Sequence, residues 1–412
     1  MDFRNLGNKS FDRGIGKTVD WNIIVCYLLL VIFGLMNIYA SIHSSEPASI
    51  FDPSCRSGKQ FIWIVISLAF DVLILFAINP HWWEVLGTPT YLFVLLLLVV
   101  VIFVGKDTKG SHSWFEFGPV KFQPAEISKI TTSLLLATVM SGQTFKLSKP
   151  KDFMTVAAVI GVPMLAILGE SETGSALVYL GYIFVLYREG LSGWWLFFIG
   201  MAITLFILTL TTKWWISAVF LIAVCAFYYI SILRHSRKEA YIIRRGALQK
   251  TLIGASLGLV MILTTGFIFD NVLQEHQRDR IEVLLGLKDD PAGVGYNVRQ
   301  SMIAIGSGGL TGKGFLNGTQ TTYGFVPEQS TDFIFCTVGE EWGFIGCAAV
   351  LLIYFFMIFR IITDAERSRD AFTRIYGYCL ASCLFMHLFI NIGMTVGLMP
   401  VIGIPLPLLS YG

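Results

Sequence analysis

Long apolar runs, separated by short polar stretches, follow one another along almost the whole chain of 412 residues. Most runs are about 18–22 residues long, which is the length of helix that crosses the ~30 Å hydrocarbon core of a bilayer. The shorter alternating segments typical of a membrane β-barrel are absent. The pattern therefore predicts an all-α, polytopic transmembrane helical bundle. We predict helices at 21–42, 60–78, 90–104, 125–140, 153–168, 174–186, 194–210, 214–233, 251–269, 333–359 and 376–398.

The composition supports a membrane protein, because 55% of the residues are hydrophobic and only 14% are charged. A soluble domain has roughly a quarter of its residues charged. The net charge of +2 says little, because the location of charge matters more than its sum, and we expect no nucleic-acid partner. Most of the seven cysteines lie in or beside apolar runs, and their spacing fits neither a disulfide framework nor structural zinc.

The positions of lysine and arginine orient the chain, since cytoplasmic loops of membrane proteins are enriched in these residues. The polar leader and the segments 146–151, 234–250 and 360–374 carry most of them, which predicts a cytoplasmic N-terminus. The segments 105–124, 170–173 and 270–330 then lie outside. A loop as long as 270–330 is usually functional. We expect one membrane domain over 1–412, and a twelfth helix beyond the proline-rich end at PLPLLSYG.

The first outer segment, GSHSWFEFGPVKFQPAEISKI, combines an aromatic residue with several polar ones. Its candidate binding residues are Trp114, Lys121, Gln123, Glu126 and Lys129. Glu126 and Lys129 are three residues apart at a predicted helix start, so they share a face. An interfacial aromatic anchor with a structural salt bridge explains most of this stretch equally well. Lys129 lies inside an apolar run, however, and needs a partner or a water-filled cavity there.

The short outer turn contains two carboxylates, Glu170 and Glu172, between closely joined helices. They either meet Lys129 or Lys121, or cap the N-terminus of the next helix, where negative charge is favourable. The sequence leaves both interpretations open.

Two parts of the long outer segment carry candidate phosphate ligands. Arg280 lies in NVLQEHQRDRIEVLLG, where a guanidinium group fits phosphate oxygens, although an amphipathic surface helix explains the pattern as well. Lys313 lies among the glycines of 306–314, which resemble an anion-binding nest or a turn that needs left-handed backbone.

The passage VPEQSTDFIF places Glu328 and Asp332 four residues apart, just as an apolar run begins. Partial burial of Asp332 would raise its pKa, which suits a general base. The alternative is a helix N-cap formed by Ser330, Thr331 or Asp332. Together, the outer segments predict a cleft at the membrane face, with cations for phosphate and one carboxylate base.

Three ordered motifs resemble the RodA/FtsW (SEDS) family of peptidoglycan glycosyltransferases, and the RodA branch in particular. They are FGPVKFQPAEISKI, YNVRQSMIAIGSGGLTGKGFLNGTQTTYGFVPEQSTDFIF followed by GEEWGFIG, and NIGMTVGLMPVIGIPLPLLSYG. The resemblance implies polymerisation of lipid II at the outer face of the bacterial cytoplasmic membrane, with release of undecaprenyl pyrophosphate. It implies that Asp332 is the catalytic base. Other residues at motif positions are Trp114, Lys121, Glu126, Lys129, Gln300, Ser301 and Glu328.

The resemblance also implies a partner, a class B penicillin-binding protein that supplies the transpeptidase. For some members it implies a divalent cation, Mg²⁺ or Mn²⁺, although the sequence shows no dedicated ligand cluster. Two features depart from the family pattern: Glu172 replaces the usual aspartate of the outer turn, and 194–233 forms an additional helical hairpin. A lipid II flippase and a non-catalytic scaffold of the wall-synthesis complex are the competing interpretations.

Overall fold

The computed structural model describes residues 19–43, 49–79, 81–108, 111–118, 120–235, 240–273, 275–288, 293 and 295–411. These residues form two compact units, and each is described by itself. The first comprises Met1–Gly190 and Asn297–Gly412, and the second comprises Leu191–Tyr296. Every predicted apolar run lies largely or wholly within helical structure, so the multi-pass helical prediction is confirmed.

The first unit is almost entirely helical. Its helices are α1 Trp21–Ile42, α2 Arg56–Ala77, α3 His81–Val104, α4 Pro124–Met140, α5 Pro150–Gly169, α6 Thr173–Val178, α7 Tyr182–Arg188, α12 Tyr296–Ser307 (from its second residue), α13 Thr319–Thr322, α14 Ile334–Arg367 and α15 Ala371–Thr395. A 3₁₀ turn, Tyr179–Gly181, joins α6 to α7. Predicted loop 270–330 thus contains ordered helices rather than irregular chain alone.

Nine helices among the described residues are long and apolar enough to cross a membrane. The 17-residue α4 and the broken segment of α6 and α7 account for the two other predicted spans. Local sequence sets several helix starts. Pro124 lies in the first turn of α4, where its missing N–H costs no hydrogen bond. Asp370 caps α15 by accepting a hydrogen bond from the main-chain N–H of Thr373 at 2.9 Å.

The first outer segment forms a small antiparallel sheet, which the helical pattern did not predict. Its strands are β1 Lys106–Thr108, β2 Ser111–Phe117 and β3 Val120–Phe122, in the order β1-β2-β3. Glu116 pairs with Lys121 across the β2–β3 hairpin. Gly118 in the turn has a φ of 63°, a left-handed conformation that a glycine adopts without strain.

The core of the first unit lies where α1 and α15 pack against α14. Leu30, Ile38 and Tyr354 are among its fully buried side chains. α14 is kinked at Gly343, whose φ of 63° and ψ of −161° interrupt the helix. The second unit contains α8 Trp194–Thr211, α9 Trp214–His235, α10 Ala240–Asn271 and α11 Glu275–Leu284. Its core includes Leu205, Leu221 and Ile262. The predicted hairpin is therefore a helix pair; its status as an addition to the family fold stays a prediction.

Candidate active site

Asp332 lies in a turn immediately before α14, and its side chain is half-buried. The cap position of α14 belongs to Phe333. The interpretation of Ser330, Thr331 or Asp332 as the N-cap is therefore wrong. The turn is closed by the main-chain oxygen of Glu328, which accepts hydrogen bonds from the N–H groups of Thr331 and Phe333, each at 3.2 Å.

Hydrogen-bond donors from outside the turn bind three of its consecutive main-chain oxygens, those of Ser330, Thr331 and Asp332. Their donors are the main-chain N–H of Tyr411 at 2.9 Å, the hydroxyl of Ser410 at 2.6 Å and the side-chain amide of Asn391 at 2.8 Å. All three donors belong to α15 or to the C-terminal segment that follows it. Because buried carbonyls rarely lack a donor, these bonds fix the backbone that carries the Asp332 carboxylate.

The carboxylate of Asp332 also lies against the C-terminal segment. A Cβ atom placed on Gly403 would be 3.3 Å from Oδ2 of Asp332. Gly403 has a φ of 78°, which only glycine adopts readily. Glycine at this position therefore serves both the backbone conformation and the close approach to the carboxylate.

A second polar cluster lies inside the helix bundle around Lys129 of α4. Its Nζ atom is 2.7 Å from Oε1 of Glu126 and 2.8 Å from Nε2 of His387. Lys129 is buried, with 5% of its surface exposed. An ammonium group only donates, so Nε2 of His387 accepts and the ring proton sits on Nδ1. These two contacts use two of the three N–H groups of Lys129, which leaves one for another acceptor.

α15 connects the Lys129 cluster to the Asp332 turn. His387 and Asn391 are four residues apart on this helix, so they share one face and lie about 6 Å apart along its axis. His387 contacts Lys129, whereas Asn391 binds the main-chain oxygens of Asp332 and Ile404. Lys129 and the backbone of Asp332 thus contact the same face of α15, about one turn apart.

The short outer turn joins the same assembly. The hydroxyl of Ser113 in β2 donates to Glu172 at 2.7 Å, and that of Ser175 contacts Glu126 at 3.4 Å. Gly174 packs so closely that an added Cβ would lie 2.8 Å from the side chain of Ile404. The bond from Ser113 to Glu172 therefore joins the first two outer segments, and Gly174 packs the second of them against the C-terminal segment.

Glu170, in the same turn, is buried with 1% of its surface exposed. Burial, reinforced by repulsion from Glu172, raises the pKa of the Glu170 carboxyl to about 8. Glu172 occupies the cap position of α6 but makes no side-chain capping bond. Lys121, which we considered as a partner for these carboxylates, forms an ion pair with Glu116 at 2.9 Å.

Lys313 contacts an internal carboxylate. Its Nζ atom is 2.6 Å from Oε1 of Glu340, which is fully buried. Glu340 also accepts hydrogen bonds from the three main-chain N–H groups at the start of α13, those of Thr319, Gln320 and Thr321, at 2.8–2.9 Å. The N–H groups that bind this carboxylate belong to 319–321 rather than to the glycines of 306–314, where we predicted a nest.

The glycines before α13 allow that loop to pack against the kink of α14. A Cβ on Gly312 would lie 2.1 Å from the main-chain oxygen of Glu341, and one on Gly343 would lie 2.3 Å from the nitrogen of Gly312. The N–H of Lys313 bonds to the oxygen of Glu340 at 3.0 Å. Gln329 then links this loop to the Asp332 turn, since its Nε2 donates to the oxygen of Thr321 at 2.8 Å.

The remaining predicted site residues have varied positions. Trp114 is half-buried in β2, and Gln123 occupies the cap position of α4. Gln300 and Ser301 lie in α12, where the buried hydroxyl of Ser301 donates to the oxygen of Thr395 at 2.9 Å. Glu328 is exposed, with a left-handed φ of 53°. Arg280 lies on α11 of the second unit. Their roles toward substrate stay predictions.

Sequence reasoning did not assign roles to Glu340, His387, Asn391, Gly403 or Ser410. His387 and Asn391 offered a signal, because polar residues four apart inside an apolar run are costly unless they have partners. Glu340 is acidic within the run that forms α14, and the same argument applies to it. The described residues contain no group of three or more His, Cys, Asp and Glu side chains able to hold a metal ion.

Comparison with known proteins identifies the family. A family model described as cell cycle protein, FtsW/RodA/SpoVE, matches residues 20–228 and 241–412. The chain belongs to this family. The Escherichia coli K12 peptidoglycan glycosyltransferase MrdB is 33% identical over 84% of this chain and 78% of its own length. The Treponema pallidum peptidoglycan glycosyltransferase RodA is 30% identical over 97% of this chain and 94% of its own length. A Geobacter protein named probable peptidoglycan glycosyltransferase FtsW is 25% identical over 95% of this chain and 91% of its own length. The higher identity to MrdB and RodA than to this FtsW protein supports a RodA-like family member.

Two solved structures share the fold. One, described as "Structural coordination of polymerization and crosslinking by a peptidoglycan synthase complex", contains a chain 26% identical to this one. The structural match covers 95% of this chain and 92% of that chain, with a TM-score of 0.65. The other is the rod shape determining protein RodA of Thermus thermophilus, which is 23% identical to this chain. The match covers 95% of this chain and 90% of that chain, with a TM-score of 0.57.

Proposed function

We propose that this protein is a peptidoglycan glycosyltransferase of the RodA-like branch, which polymerises lipid II into glycan strands during cell elongation. The observation that carries the proposal is the meeting of the second and third family motifs at Asp332. Its backbone is bonded by Asn391, Ser410 and Tyr411, and its carboxylate lies against Gly403. Such external support is what a catalytic carboxylate needs in order to keep a productive orientation. The activities named for the MrdB and RodA relatives support the same reaction.

In the proposed reaction, Asp332 accepts the proton of the acceptor 4-hydroxyl as that oxygen attacks the anomeric carbon of the donor. A C–O bond forms at the anomeric carbon, and the bond from that carbon to the phosphate oxygen breaks. Undecaprenyl pyrophosphate leaves with the electron pair, and the configuration inverts. General base catalysis of this kind contributes typically about 10²–10⁴-fold to the rate.

Lys129 is the best-placed cation for the leaving pyrophosphate. It is fixed by Glu126 and His387, and it retains one N–H for a phosphate oxygen. A buried, pre-oriented charge stabilises developing negative charge more strongly than a solvated one. Lys313 is less suited to this role, since its partner Glu340 is fully buried and also binds the main-chain N–H groups that start α13.

We place the reaction at the outer face of the cytoplasmic membrane, with the N-terminus inside, on the distribution of loop lysines and arginines. We propose a class B penicillin-binding protein as the partner, which the solved synthase complex supports. A divalent cation would arrive with the pyrophosphate, because Mg²⁺ usually binds through phosphates and few carboxylates. We assign no step to it.

One reconstitution separates the three candidate functions. The purified chain is placed in proteoliposomes with labelled lipid II, with and without the cognate transpeptidase, and glycan length and lipid II sidedness are both measured. A polymerase produces glycan strands that the partner lengthens or accelerates. Translocation of lipid II without polymer would establish a flippase, and neither activity under any condition would leave a scaffold.

A further inference from the structure

α2 is the least covered membrane helix of the first unit. None of the residues in its most apolar stretch is buried among the described residues, whereas 39% of the corresponding stretch of α1 is buried. Only Ser57 and Gly58, near its N-terminal end, are buried. The helix is nevertheless anchored, because Nη1 of Arg56 donates to the hydroxyl of Ser330 at 2.8 Å.

Exposed apolar side chains alone indicate nothing beyond contact with lipid, since lipid tails are as apolar as leucine. α2 carries one residue for which lipid is a poor environment. Asp71 is exposed, six residues before the helix ends at Ala77 and hence about 9 Å inside that end. A short aspartate side chain cannot reach water over that distance. Intramembrane carboxylates are costly and normally have a polar partner.

α1 supplies part of this partner. Tyr27 lies near Asp71 and Ser67, at the same depth from the adjacent end of α1. A carboxylate accepts about four hydrogen bonds, so one tyrosine hydroxyl leaves most of its capacity unused. Asp71, Ile74 and Leu75 form an exposed turn, here called the Asp71 face. The acceptor sites of Asp71 that Tyr27 does not use therefore lie on this exposed face.

We propose that the Asp71 face binds a membrane helix of a partner protein, and that this helix presents a lysine or arginine side chain to Asp71. Polar contacts are what hold helices together in lipid, and a cation is the partner that a buried carboxylate favours most. A second copy of this chain is a poor occupant. Two parallel copies would place Asp71 opposite Asp71 at one depth, where like charges repel.

The test uses three synthetic membrane-spanning peptides of leucine and alanine that differ at one position about 9 Å from one end. That position is lysine, leucine or glutamate. Each labelled peptide is titrated against the labelled full-length protein in nanodiscs, and association is measured by energy transfer. The lysine peptide should bind about tenfold more tightly than the leucine peptide, and Asp71→Leu should abolish this preference.

Equal binding of all three peptides, or no binding of the lysine peptide, would overturn the proposal. Self-association of the protein that requires Asp71 would also overturn it, in favour of a second copy. Asp71→Leu places an apolar residue at an exposed membrane position, so the variant should fold, which its thermal midpoint verifies. Because no lipid II is present, the result does not depend on the proposed function.

Discussion

The side-chain nitrogen of Asn391 lies 2.8 Å from the main-chain oxygen of Asp332, and the same nitrogen lies 2.7 Å from that of Ile404. Asn391 is fully buried. Its two N–H groups therefore bridge the turn before α14 and the segment after α15. This bridge sets where the backbone of Asp332 lies relative to Gly403, whose missing side chain leaves room for the carboxylate.

Asn391→Ala should lower both the rate of lipid II polymerisation and the stability of the protein. The change leaves two buried oxygens without their donor, at about 1–3 kcal/mol each, and it frees the turn that carries Asp332. We expect kcat to fall at least ~10-fold, because misplacement of a catalytic group by about 1 Å costs up to ~100-fold. Asn37→Ala is the matched control, since Asn37 is also buried but bonds only within α1, to Phe33 at 2.7 Å. Equal loss of kcat in both variants would contradict the bridging role.

Glu340→Gln should destabilise the protein strongly, and Lys313→Met more weakly. A glutamine has one acceptor oxygen where Glu340 uses both of its oxygens on Lys313, Thr319, Gln320 and Thr321. Breaking such a buried charged network costs about 3 kcal/mol of unfolding free energy. Denaturant titration of both variants measures this. If Lys313→Met instead left stability unchanged and raised the KM for lipid II, Lys313 would be a phosphate ligand, as the sequence first indicated.

Lys129→Met should lower kcat/KM for lipid II by at least ~10-fold, because the leaving pyrophosphate loses its buried cation. Lys129→Arg should recover part of the activity, since it keeps the charge but not the geometry. Lys151→Met is the control, because Lys151 is exposed at the start of α5. A loss of thermal stability with unchanged kinetics would show that the bonds to Glu126 and His387 are structural only.

Glu170 should make stability fall as the pH rises. Its folded pKa of about 8 lies above the ordinary glutamate value of 4.5. The proton it retains on folding therefore stabilises the protein below about pH 4.5, and this contribution is lost progressively up to about pH 8. Glu170→Gln should unfold at a higher temperature than the wild type at pH 9 and at a similar temperature at pH 4.5. Glu275→Gln, at the exposed start of α11, controls for the substitution. A pH-independent difference between Glu170→Gln and wild type would refute the assignment.

The sequence predicted the elements better than their contacts. Apolar run length located the spans, and the three-residue spacing of Glu126 and Lys129 predicted the ion pair found at 2.7 Å. The β2–β3 hairpin was missed because its strands are short and the helical period dominates elsewhere. The contacts of Lys129 with His387 and of Lys313 with Glu340 were also missed. They join residues 258 and 27 positions apart, which no local pattern specifies.

The rate of lipid II polymerisation by Asp332→Asn tests the central claim most directly. Asparagine keeps the shape of the side chain and the hydrogen bonds that Asn391, Ser410 and Tyr411 make to the main chain of this turn. It cannot, however, take the proton of the acceptor 4-hydroxyl. Asp270→Asn, at an exposed position 3.8 Å from Arg278, is the matched control. We predict a wild-type thermal midpoint and at least a ~100-fold loss of kcat for Asp332→Asn, with no loss for the control. Polymerisation by Asp332→Asn at the wild-type rate would contradict the account.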